Sequence, residues 1–364
     1  MILTSVTCRR PVRGGRQIAS YTLAPPVVVA SQRDCQASCP DVLIVGAGII
    51  SCSTAYHLAL QGVKNVAVLD TRGVGAAQSS KSWGFCRQQG RDARELKLMV
   101  ESIGRWQGLQ AELGPGPARP LCPAGERRVK GVRLEDGQVL EAGTTVLAAG
   151  AWTSELLRGI VRLPQLRVRA TAAKTEGLGD LSAKFSSFPN IGVWAPRVSF
   201  RRGLDGALTI ADGGYAEEHD FEAYASVMHG WKFLPGYLDN PIKVNPVHDI
   251  THFRDPNPNP RRIDQAVSSF GTMFPELPPL RISNTWAGHI DMTPDMVPVI
   301  DVGGSLPKGL VVSTGYSGHG LGLAPAAGRL TADLVLTGQR SAEAEPFRAD
   351  RFGEKLFFKP QSVF

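Results

Sequence analysis

The chain has 364 residues, 43% of them hydrophobic and 20% charged, with a formal net charge of +7. That is room for two domains and a large core, and no apolar run reaches the length of a membrane span. The positive balance is concentrated in residues 1–40, where Arg9, Arg10, Arg13, Arg16 and Arg33 meet Asp34 alone. No basic stripe with interleaved aromatics follows, which argues against a nucleic-acid partner.

Residues 1–40 are rich in Arg, Ser, Thr and Pro. They have the composition of a transit peptide, and equally that of a disordered tail. The tail reading implies a cytoplasmic protein, the transit-peptide reading a mitochondrial one. An apolar run from Asp41 then ends in Gly46-Ala-Gly48, and Ile49–Gln61 reads as a helix closed by Gly62. A second apolar run, Asn65–Leu69, ends in Asp70, 24 residues after Gly46. Strand, glycine turn and helix N-terminus present backbone N–H groups and a positive helix end to a pyrophosphate. Glycine lets the phosphates approach the backbone. A carboxylate at the tip of the second strand meets the adenosine ribose. Ser51 stands where a third glycine usually sits and predicts a slightly looser helix–strand contact.

A Gly/Ser/Ala loop, 73–80, leads into Lys81–Gln89, and 93–113 reads as a helix. Residues 114–128 are a loop by composition. Val129–Leu134 and Gln138–Glu141 flank Glu135-Asp136-Gly137 and read as a hairpin. Thr144–Ala148 is a buried strand closed by Ala149-Gly150-Ala151-Trp152. Segment 160–300 reads as mainly antiparallel α+β. Its strands include Ile191–Phe200 and Ala207–Ala211, joined by the turn 203–206, with helices near 220–233 and 261–274. A last buried strand, Gly309–Thr314, precedes the glycine-rich loop 315–322 and a helix over Ala324–Leu336 ending at Gly338. Asp291 and Asp295 read as shapers of the turn before Pro298. The six cysteines, Cys8, Cys35, Cys39, Cys52, Cys86 and Cys122, contain no C-x-x-C pair. They imply free thiols in a reducing compartment, and no metal spacing is present. His248 and His252 lack a third ligand.

Four segments in this order carry a resemblance. They are Val45–Ser51, Gln78–Arg91, Leu147–Trp152, and Trp286–Asp295 followed by Gly315–Gly320. The chain resembles the FAD-dependent oxidoreductases of the D-amino-acid oxidase, glycine oxidase and sarcosine oxidase group, and within it the β subunits of opine oxidase-like dehydrogenases. The resemblance implies an α/β fold: a Rossmann-type FAD-binding domain with an inserted, mainly antiparallel α+β substrate domain. The division it suggests is a tail at 1–40, FAD-binding residues 41–159 and 301–340, a substrate domain at 160–300 and a C-terminal tail at 341–364. It also implies that the chain is internally shortened near 114–128, which keeps open an inactive FAD-binding paralogue or a scaffold subunit. A nicotinamide-dependent dehydrogenase using the same fingerprint is a further alternative.

The implied chemistry is oxidation of a Cα–N bond in a D-amino acid, glycine, sarcosine or an opine-like acid. The α-hydrogen leaves as hydride to flavin N5. The implied FAD contacts are Gly46, Gly48, Ile49, Ile50, Asp70, Thr71, Ser79 and Ser80 in the first half. In the second they are Ala149, Gly150, Trp152, Gly315, Gly318, Gly320 and Leu321. The FAD is expected to be non-covalent, since no histidine stands where the family attaches one. A substrate carboxylate calls for a guanidinium fork; Arg87 is the first candidate and Arg91 the fallback. His319 either faces the flavin or braces its loop. A partner subunit is also implied.

Overall fold

The computed structural model describes residues 2–3, 40–112, 131–133, 139–157, 159–177, 192–195, 198–212, 218–220 and 255–354. In chain order the strands are β1 (Ile2–Leu3), β2 (Val42–Val45), β3 (Val66–Leu69), β4 (Gly131–Arg133), β5 (Val139–Glu141), β6 (Thr144–Leu147), β7 (Leu166–Thr175), β8 (Val193–Ala195), β9 (Val198–Arg202), β10 (Leu208–Ala211), β11 (Glu218–Asp220), β12 (Ile282–Met292), β13 (Val299–Val302) and β14 (Leu310–Thr314). The α-helices are α1 (Ile49–Leu60), α2 (Ala93–Glu112), α3 (Thr153–Leu156), α4 (Pro260–Met273), α5 (Gly320–Thr337) and α6 (Arg351–Glu354).

Two sheets position the site. The first runs β13-β14-β6-β2-β3, with β14, β6, β2 and β3 parallel and β13 antiparallel at one edge. Strand β2 is apolar and buried at every position, and β14 is buried throughout although it ends in Ser313 and Thr314, as a sheet covered on both faces requires. One face packs Ile44, Val146, Ile300 and Val311 against Leu58 of α1, Leu98 and Met99 of α2, and Leu323 and Leu330 of α5. The other buries Leu43, Leu147 and Val312 with Leu157 and Phe352. The second sheet is antiparallel. Strand β12 flanks nearly the whole of β7 on one side, while β10 and β11 share its other side. Helix α4 covers β9 and β10 through perpendicular ring contacts of Phe200 with Phe270 and Phe274. A small ribbon, β1-β4-β5, includes the expected hairpin pairing of Gly131–Arg133 with Val139–Glu141.

Two expectations need correction. The single strand over Ile191–Phe200 is two short strands, β8 and β9, that pair antiparallel with each other. Helix α5 begins at Gly320 rather than Ala324. Pro325 suggests a later start because it lacks the N–H that a helix interior needs. Helix α2 supplies the missing partners: the Trp106 indole N–H donates to the Leu321 carbonyl (3.1 Å), Ser102 Oγ donates to the Leu323 carbonyl (2.8 Å), and the Ala326 N–H donates to Ser102 Oγ (3.0 Å). The loop at 114–128, the helix near 220–233 and the pair His248/His252 lie outside the described residues. Among the described residues, no helix is long and apolar enough to cross a membrane.

Candidate active site

The turn after β2 passes very close to the end of β6. Gly46 has φ +104°, and a Cβ there would sit 2.4 Å from the Ala148 carbonyl oxygen. Side chains then fix the turn. The Ala47 N–H donates to Asp70 Oδ2 (2.8 Å) and the Ile49 N–H to Ser79 Oγ (2.9 Å). Asp70 Oδ1 also accepts the N–H groups of Arg72 (2.7 Å) and Gly73 (3.1 Å). The expectation of bare N–H groups is thus corrected at Ala47 and Ile49. Asp70 has about one of its four lone-pair directions left for a ribose hydroxyl.

The second glycine loop is held from behind by a buried acid. Asp291 Oδ2 accepts the N–H of Gly315 (2.7 Å), the N–H of Tyr316 (3.3 Å) and the hydroxyl of Thr314 (3.3 Å). The Asp291 carbonyl accepts the Ser317 N–H (2.8 Å). Burial pushes the carboxyl up to about 6, against the pull of these donors. Asp295 makes ion pairs with Arg351 and Arg94, which hold it below the usual carboxylate range against the upward push of burial. Both acids therefore do more than shape the turn before Pro298: one clamps the glycine loop, and the other ties α2 to the chain near α6. At the head of α5, His319 Nδ1 lies 3.2 Å from Glu95 Oε2, and both side chains are fully enclosed. Of the two roles expected for His319, bracing is visible, and the residue also reaches the cavity wall.

One cavity of about 300 Å³ joins the two glycine turns, within the range of small-molecule sites. Gly46, Gly48, Ile49 and Ile50 line it from the first turn, with Asp70, Thr71 and Ser79 beside them. Ala149, Gly150 and Trp152 line its middle, and Gly318, His319, Gly320 and Leu321 its other end. Two residues of the expected set do not line it. Ser80 is exposed, its hydroxyl donating to the Ala77 carbonyl (3.0 Å). The N–H of Gly315 is taken by Asp291, and a Cβ there would meet Thr293 Cγ2 at 2.4 Å.

Arg87 and Arg91 both line the cavity. Arg87 Nη1 donates to the Gln89 carbonyl (2.8 Å), and its guanidinium lies 5.9 Å from the Phe85 ring centre. Arg91 differs: its Nε and Nη1 are buried and have no hydrogen-bond partner among the described residues. Burial, and then the neighbouring Arg87, lower its pKa to about 10. A buried guanidinium with idle donors beside a second cation is built to receive an anion. Among the cavity residues that sequence reading missed are Arg72, His289 and Gln78. Arg72 and His289 gather around Trp152, with the His289 ring perpendicular to the indole at 5.8 Å and the Arg72 guanidinium 5.7 Å away. Burial, and then Arg167, push His289 down to about 4, so it is neutral at pH 7. Gln78, the third, sits in the loop that was flagged but carried no charge to single it out.

A family model described as FAD dependent oxidoreductase matches residues 41–124 and 122–334. The chain belongs to this family. Its cavity fits an extended dinucleotide: two glycines without Cβ at the first turn, an acid at the tip of β3, and a second helix N-terminus at the far end. The chain is 38% identical over 263 residues to FAD-dependent oxidoreductase domain-containing protein 1 of Bos taurus, covering 67% of this chain and 46% of that protein. It is 28% identical over 243 residues to a D-amino acid dehydrogenase of Methylobacterium radiotolerans, covering 66% and 47%. The chain thus spans about half the length of these relatives. An L-amino acid deaminase from Proteus vulgaris shares its fold with TM-score 0.70 at 18% identity, over 89% of this chain and 100% of that one.

Proposed function

We propose that this chain binds FAD non-covalently along the cavity and oxidises the Cα–N bond of an amino or imino acid, with Arg91 as the carboxylate anchor. When bound, the flavin supplies the hydride acceptor. The protein's part is positioning. Arg91 would hold the carboxylate through one of the edges that carry its partnerless Nε and Nη1, and Arg87 beside it adds positive charge. Trp152 and Trp286 give the cavity aromatic walls, and the Trp286 indole is fixed by donating to the Lys81 carbonyl (3.2 Å). The single observation that carries this reading is the joining of both glycine turns and the idle Arg91 donors in one cavity wall. The amino-acid substrates in the names of the relative from Methylobacterium radiotolerans and the Proteus deaminase support the same substrate class. Glycine, sarcosine, D-amino acids and opine-like acids all carry the carboxylate that Arg91 would hold.

A second reading has its own support. The family match comes in two stretches that overlap at 122–124. This favours a shortened chain that holds FAD as a scaffold or partner subunit without turnover. Anaerobic mixing of the FAD-loaded chain with a panel of secondary amines and D-amino acids separates the two. Bleaching of the flavin band by one class supports the enzyme; a flavin that no substrate bleaches supports the scaffold. In the first case Arg91→Met should raise the KM at least tenfold, a charge-assisted pair being worth about 1.5–3 kcal/mol. Arg87→Met should raise it less. An Arg91→Met chain with an unchanged KM removes Arg91 from the substrate site.

A further inference from the structure

Behind the second glycine loop sits a pair that the proposed chemistry does not use. Glu95 lies in the first turn of α2, and His319 immediately precedes α5. Glu95 Oε2 and His319 Nδ1 are 3.2 Å apart, while Glu95 Oε1 and His319 Nε2 are buried with no partner among the described residues. His319 also lines the cavity. A ring nitrogen in contact with a carboxyl fixes what the opposite nitrogen can do. If Glu95 is protonated, its O–H donates to Nδ1, and the ring carries its own proton on Nε2. If that proton moves onto Nδ1, the ring becomes an imidazolium and Nε2 still carries a hydrogen. If the proton leaves the pair, Nδ1–H donates to the carboxylate and Nε2 becomes a bare acceptor.

We propose that Glu95 and His319 form a one-proton polarity switch, so that a second proton held in the pair makes Nε2 a hydrogen-bond donor and the loss of one proton to solvent, leaving the other on Nδ1, makes Nε2 an acceptor. The group it serves is the negative charge that FAD carries when reduced, placed at the α5 end of the cavity; this clause rests on the function proposed above. The surroundings set the pH at which it turns. Burial raises Glu95 to about 8; Arg91 and Arg94 pull it down, and Asp92 and Asp295 push it up. Burial, Arg91 and Arg87 hold His319 well below the usual imidazole range. Within the glycine loop, Tyr316 is pushed up by burial and, more weakly, by Asp291 and Glu95, so it stays neutral throughout this window. The proton therefore rests on Glu95 at neutral pH and is lost as pH rises through about 8.

The test is nitrogen NMR of the full chain labelled with ¹⁵N-histidine, from pH 6 to 10, with His319→Gln assigning the resonance. The expected result is a protonated Nε2 at low pH that turns into a bare nitrogen near pH 8, and a single state across the range in Glu95→Gln. A His319 that keeps one state in the parent, or changes identically in Glu95→Gln, overturns the switch. A second readout addresses the ligand. In the FAD-loaded chain, the preference for reduced over oxidised FAD should fall about tenfold more between pH 7 and 9.5 in the parent than in Glu95→Gln, the worth of one hydrogen bond to a charged group. An equal pH dependence in the two refutes the assignment to reduced flavin. A chain that binds no FAD but still shows the nitrogen transition defeats the flavin reading and leaves the switch standing.

Discussion

The two glycine turns face one cavity, yet they are held by opposite means. The first is held by geometry: Gly46 approaches a backbone carbonyl that no side chain would permit, and the half-buried Asp70 and Ser79 take up its N–H groups. The second is held by buried titratable groups, with Asp291 clamping the loop and Glu95 bracing its histidine. The contrast teaches where each kind of sensitivity lies. The first turn should respond above all to added volume. The second should respond to charge and pH.

The largest test of this contrast is Gly46→Val. A branched side chain at φ +104° facing a carbonyl at 2.4 Å should cost about 4 kcal/mol and abolish flavin retention. Urea unfolding and the visible spectrum check both. Next comes the pH response. Glu95 is raised from 4.5 to about 8, so folding favours its protonated form. That contribution is complete below the unfolded value and lost as pH rises through about 8. Between pH 5 and 8.5 the parent should therefore lose on the order of 3 kcal/mol relative to Glu95→Gln, measured as a difference of urea midpoints. Equal losses would place no pH sensitivity behind the second loop.

Asp291→Ala should cost about 2 kcal/mol, because it leaves the buried N–H groups of Gly315 and Tyr316 without an acceptor. It should also weaken FAD affinity by loosening the loop, as read by fluorescence titration. The smallest effect belongs to Trp106→Phe. It frees the Leu321 carbonyl beside Pro325 and should cost about 1 kcal/mol, shown by a small drop in Tm.

Much of the first region was legible in the sequence. Its elements follow one another in the chain, so the run to Gly46-Ala-Gly48, the start of α1 and the acid at Asp70 follow from short spacings, while the approach of Gly46 to Ala148 does not. The second region was legible only in outline. The glycines announced a loop, but the groups that hold it come from elsewhere: Asp291 from the preceding long strand and Glu95 from a residue 224 positions away. Single-sequence patterns carry no such pairing, which is why Asp291 read as a turn residue and Glu95 went unnoticed. The start of α5 was hidden for the same reason, since Trp106 and Ser102 of a distant helix satisfy the groups that Pro325 disrupts. Arg87 and Arg91 were both visible as loop arginines. Only the idle donors of the buried guanidinium separate them.

The central claim is that both turns grip one FAD. Titrating the purified chain with FAD, and following the flavin's fluorescence quenching in the parent, Gly46→Val and Asp291→Ala, tests it most directly. The account predicts saturable quenching in the parent, none in Gly46→Val and a weaker constant in Asp291→Ala. A folded parent that leaves FAD fluorescence unchanged at every concentration would contradict it.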